Sequence, residues 1–120
     1  MPVWKRSLRN QMHDKILALL GLATKAGNVV SGEFMVEKMV KAGKAKLVIV
    51  ATDTSENSKK SYNDMCTFYR TPIYFYGTKE TLGHCIGKEM RASVAVIDEG
   101  FAKGIEKKLK DSITNTEVNK

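Results

Sequence analysis

Apolar positions recur along this chain in two alternating rhythms. From Asp14, residues Ile16, Leu17, Leu20 and Ala23 fall on one helical face, and Gly27 offers a C-terminal stop. Val29-Val30 suits only a short strand. Ser31 is a candidate N-cap for a second helix that begins near Gly32, turns Val36, Met39 and Val40 inward and ends at Gly43. Leu47-Val48-Ile49-Val50-Ala51 is a continuous apolar run, which predicts a central strand covered on both faces. The polar loop Thr52-Asp53-Thr54-Ser55 leads to a third helix. That helix carries Tyr62, Met65, Cys66 and Tyr69 at spacing i, i+3, i+4, i+7 and is closed by Pro72. Ile73-Tyr74-Phe75-Tyr76 reads as a strand. Gly77 and the N-cap candidate Thr78 then open a short helix bearing Leu82, Cys85 and Ile86, which ends at Gly87. Ser93-Val94-Ala95-Val96-Ile97 is the last buried strand, and Asp98 can cap a final helix with Phe101, Ile105 and Leu109 on one face.

Helices alternate with strands throughout, an order that predicts a three-layer α/β/α sandwich around a mostly parallel or mixed sheet. The 120 residues fit one domain, with no internal repeat and no linker. The expected organisation is a basic N-terminal arm over 1–12, a single domain over 13–110 and a polar tail over 111–120 that frays.

Charge adds a statement about partners. Lys and Arg total 20 against 13 Asp and Glu, a formal charge of +7. A basic surface attracts polyanions, of which nucleic acid is the commonest, but charge alone weighs a merely soluble basic protein equally. No stretch is apolar enough to span a membrane, and no signal-type apolar run follows Lys5-Arg6. The expectation is a cytoplasmic protein in which Cys66 and Cys85 are reduced, buried thiols.

Catalytic signatures are missing. Gly83-His84-Cys85-Ile86-Gly87-Lys88-Glu89 is one residue too short between its glycines for a phosphate loop, and Glu89 stands where a hydroxyl belongs. No Gly-x-Gly-x-x-Gly occurs. His13, His84, Cys66 and Cys85 form no metal-type pair, and a Cys85–His84 thiolate pair has no local orienting group. Asp98-Glu99 is explained by helix capping. The expectation is no enzyme, no cofactor and no metal.

What remains is a helix start. At Ser31-Gly32-Glu33 a helix N-terminus offers free N–H groups and a positive dipole end, which favour phosphate. Gly32 would let a nucleic-acid backbone approach closely; equally, it can simply start a helix after a tight turn. Lys38, Lys41, Lys59 and Lys60 can reach phosphates or merely solvate a surface.

Four stretches, in order and spacing, resemble a known family: residues 19–27 (LLGLATKAG), 30–32 (VSG), 41–51 (KAGKAKLVIVA) and 95–98 (AVID). Over residues 15–103 the chain resembles the ribosomal L7Ae/L30e proteins, especially their small bacterial YlxQ-type members. The resemblance implies an α/β/α sandwich with a four-stranded mixed sheet and a monomer that binds structured RNA. The RNA implied is the kink-turn, a sharply bent helix with sheared G·A pairs, possibly within ribosomal RNA. It also implies that the segments around Lys25, Ser31 and Lys38, after the central strand, and before the last strand gather at one end. There the helix start of Gly32, Glu33, Phe34, Met35 and Lys38 enters the widened major groove. The loop of Met90, Arg91, Ala92 and Ser93 packs on splayed nucleotides. Recognition of irregular RNA is physically reasonable, because regular A-form grooves hide base edges.

One departure stands out. Many members carry Asn-Glu or Lys-Gln where this chain has Phe34 and Met35, and neither residue can read guanines by hydrogen bonds. Glu33 is the remaining polar candidate, and Phe34 and Met35 can also be read as core residues at a helix start. The alternative function is a protein-interaction module of the same fold with weakened RNA recognition.

Overall fold

A computed structural model describes residues 14–118 of the chain, with side chains through residue 112. The basic arm expected over 1–12, and His13, lie outside the described residues. The elements in chain order are α1 (Lys15–Lys25), β1 (Val29–Ser31), α2 (Glu33–Lys41), β2 (Leu47–Val50), α3 (Glu56–Phe68), β3 (Ile73–Phe75), α4 (Lys79–Cys85), β4 (Ser93–Val96) and α5 (Glu99–Val118).

The four strands form one mixed sheet in the order β1-β4-β2-β3. β4 pairs antiparallel with both β1 and β2, while β2 and β3 run parallel. The period-2 alternation of β2 builds two cores. Leu47 and Ile49 meet Leu20, Leu82 and Ile105 from α1, α4 and α5. Val48 and Val50 meet Val36, Val40, Tyr62 and Cys66 from α2 and α3. All four β2 side chains are buried, as the unbroken apolar run predicts. The α/β/α sandwich and its four-stranded mixed sheet are therefore as expected.

Local chemistry explains most boundaries. Asp14 Oδ1 accepts from Leu17 N–H at 3.0 Å, Ser55 caps α3, and Thr78 and Thr81 form a reciprocal capping box on α4. Asp98 Oδ2 accepts from Phe101 N–H at 2.9 Å. Two expectations change. Ser31 is not the N-cap of α2: it is still extended in β1, opposite Val94, and Gly32 occupies the cap position. And α5 does not fray near Asp111 but continues to Val118, because neither glycine nor proline interrupts it after Gly104.

Candidate nucleic-acid interface

The carboxyl ends of β1, β2 and β3 and the start of β4 share one edge of the sheet, so the segments that leave them are neighbours. Backbone hydrogen bonds join them. Gly32 N–H donates to Ser93 O at 3.1 Å, Ala51 N–H to Ala92 O at 2.8 Å, Thr52 N–H to Gly77 O at 2.8 Å and Arg91 N–H to Lys79 O at 3.0 Å. Asp53 Oδ1 accepts from Lys79 N–H at 2.9 Å. The junction of β1 with α2 is thereby fixed against the loop before β4.

Gly32 turns the chain with φ +90° and ψ 154°, a region that essentially only glycine occupies. A Cβ there would meet nothing within 4 Å, so the backbone conformation and not crowding demands glycine. Having no side chain, Gly32 leaves the first-turn N–H groups of α2 without the side-chain acceptor that α1, α3 and α4 possess. The positive end of the helix dipole is thus open to an external anion.

Two large apolar side chains flank this point in the open. Phe34 is 74% exposed and Met90 59% exposed. Phe34 is therefore not a core residue; Met35, beside it, is half-buried. Glu33 and Lys38 are exposed on α2. Arg91 is held from both sides: its Nε donates to Ser31 Oγ at 3.3 Å and its Nη1 to Met90 O at 2.8 Å. Ser31 thus positions Arg91 instead of capping a helix.

Two expected site residues are placed differently. Ser93 is fully buried, and its Oγ donates to Tyr62 Oη at 2.8 Å, so its side chain faces the core and no ligand can touch it. Lys25 stands in the last turn of α1, where that helix hands over to the start of β1; Gly32 follows the other end of the strand. Ala92 is half-buried. Of the other lysines, Lys59 lies 3.4 Å from Glu56, and Lys41 is 2.7 Å from Glu37.

Sequence reasoning missed two residues that shape this edge. Tyr62 reads as a core aromatic, but its hydroxyl holds the start of β4; burial raises its pKa, the Ser93 bond opposes the rise, and Glu33 and Glu37 add to it. Gly83 is buried in α4, and a Cβ there would stand 1.3 Å from the carbonyl oxygen of Glu89. That glycine lets the segment leading to Met90 cross the helix in contact. An isolated glycine within a helical pattern was the available signal.

The thiol–imidazole pair has no chemistry to offer. Burial, aided by the carboxylate of Asp14, pushes the Cys85 thiol up to about 11, and the thiol donates to Leu82 O at 3.2 Å. No described helix is long and apolar enough to cross a membrane.

Fold and edge together define a class: a small α/β/α domain presenting an uncapped, glycine-started helix beside an exposed apolar loop. The chain belongs to the ribosomal protein L7Ae/L30e/S12e/Gadd45 family, which it matches over residues 14–106. It is 46% identical over 84 residues to the RNA-binding protein YlxQ of Bacillus subtilis, covering 70% of this chain and 84% of the relative. It is 32% identical over 93 residues to the large ribosomal subunit protein eL30 of Candida albicans, covering 76% and 88%. A solved structure of a protein with unknown function from Bacillus halodurans C superposes with a TM-score of 0.74 at 38% identity, covering 77% of this chain and 93% of that one.

Proposed function

We propose that this protein is a monomeric, non-catalytic RNA-binding protein that recognises a kink-turn or a similarly bent RNA and serves ribosomal or translation-associated RNA in the cytoplasm. The observation that carries the reading is the open N-terminus of α2 at Gly32, with Phe34 and Met90 exposed beside it. The uncapped N–H groups suit a phosphate, and the two apolar side chains suit bases that have left the stack. A straight duplex offers the phosphates but hides the bases, so this combination favours RNA with splayed nucleotides.

The proposed contacts are Gly32, Glu33, Phe34, Met35 and Lys38 on α2, and Met90, Arg91 and Ala92 on the loop. Ser31 and Ser93 act by positioning, and Lys25 falls outside the set. The formal charge of +7 adds sequence-independent attraction. The names of the Bacillus and Candida relatives support an RNA partner and a ribosomal setting. The exposure of Phe34 also favours a second reading, in which this helix start docks a protein.

The test is binding to a kink-turn duplex and to a straight duplex of equal length across a salt series. Tighter binding to the kink-turn, with affinity falling as salt rises, is expected. Equal affinity for the two duplexes would remove the kink-turn from the proposal, and no salt dependence would remove RNA.

A further inference from the structure

A groove of about 610 Å³ runs between α2 and α3, and its charge is opposite in sign to that of the chain. Glu33 and Glu37 line it from α2 and Asp64 from α3. The lining cation Lys41 is already bound by Glu37 at 2.7 Å. Phe68 and Tyr69 supply its aromatic part, with ring centroids 4.9 Å apart in an edge-to-face contact, and Phe68 is 78% exposed. An acidic wall beside exposed aromatic faces selects a ligand with cations and an apolar anchor, and it disfavours a polyanion.

The chain itself holds a segment of that chemistry. Residues 1–13 contain Trp4, Lys5, Arg6 and Arg9 and no acidic residue, and Trp4 is the only tryptophan of the protein. The segment leaves the domain at Asp14, whose Oδ2 accepts from Tyr76 Oη at 2.6 Å just past the edge strand β3. The stretch from Trp4 to Asp14 spans up to about 35 Å when extended. The domain measures 46 × 34 × 29 Å along its principal axes, so the groove lies within reach.

We infer that residues 4–9 of this chain dock in the α2–α3 groove. Lys5, Arg6 and Arg9 meet Glu33, Glu37 and Asp64, and Trp4 packs against Phe68 and Tyr69. Docking neutralises the acidic wall next to the helix start at Gly32. The inference is independent of the RNA reading, and its test contains no RNA.

Acrylamide quenching of Trp4 fluorescence in the whole chain reads the docking directly. At low salt, quenching should be at least about twofold weaker than in a free peptide of residues 1–13, because a ring packed on Phe68 and Tyr69 is shielded on one face. Glu37→Gln combined with Asp64→Asn should raise it to the peptide value, as should about 1 M salt, which shortens the screening length to ~3 Å. Arg6→Ala combined with Arg9→Ala should do the same without altering the groove, which separates docking from any effect on folding. Quenching equal to that of the peptide at low salt overturns the inference. So does protection that survives both pairs of substitutions, which would place Trp4 elsewhere. Protection that grows with protein concentration would put a second copy's segment in the groove and overturn docking within one chain.

Discussion

The hydroxyl of Ser93 donates to the hydroxyl of Tyr62 at 2.8 Å, and both residues are buried. This bond ties α3 to the first residue of β4, whose carbonyl in turn receives the N–H of Gly32. Tyr62→Phe leaves the Ser93 hydroxyl without that acceptor. It should cost about 1–3 kcal/mol of stability, the penalty for an unpaired buried polar group. Urea denaturation measures it, and an unchanged midpoint would contradict the role given to Tyr62.

Gly32→Ala places a β-carbon at φ +90°, which should cost about 1–3 kcal/mol of backbone strain even though the space is open. Gly32→Asp carries the same strain and adds a carboxylate where a phosphate is proposed to sit. The Asp variant should therefore bind a kink-turn RNA more weakly than the Ala variant at similar stability. Equal affinities for the two variants would show that no phosphate approaches this helix start.

Phe34→Ala should leave stability within about 0.5 kcal/mol, since the ring is mostly in solvent. Its effect should fall on RNA affinity, by roughly 1–3 kcal/mol if the ring stacks on a base. Thermal unfolding and RNA titration of one preparation separate the two effects. Loss of stability with affinity intact would reverse the assignment.

Gly83→Ala drives a methyl group into the carbonyl of Glu89, so α4 and the following segment must separate. The expected cost is about 1–3 kcal/mol, as for overpacking elsewhere. The shift should also displace Met90 and Arg91, so RNA affinity should fall along with the melting temperature.

Burial pushes the thiols of Cys66 and Cys85 up from 9.0 to about 11 and raises the hydroxyls of Tyr62, Tyr74 and Tyr76. The folded chain therefore keeps protons that the unfolded chain releases. For the thiols, this contribution is complete below about pH 9 and is lost as pH rises through about 11. Denaturation midpoints should fall over that interval. A midpoint that rises with pH there would contradict the burial of both thiols.

The sequence by itself determined the order of elements and the layered architecture, because apolar periodicity is local and each burial pattern demands a partner layer. The continuous run over 47–51 required a strand covered on both sides, and Thr78 and Asp98 announced their helices by capping chemistry. The helix start at Gly32 was legible for the same reason: one glycine after a strand pattern opens a helix.

Long-range hydrogen bonding was not legible. Ser31 looked like a cap, yet strand pairing with β4 keeps it extended, and its hydroxyl meets Arg91, sixty positions away. Ser93 looked available to a ligand, yet Tyr62, 31 positions earlier, turns its hydroxyl inward. Phe34 could be core or surface on periodicity alone; the packing of Val36 and Val40 against the sheet sends it into solvent. Only the tertiary structure decided these points, because burial and cross-strand pairing depend on which distant residues arrive at the same edge of the sheet.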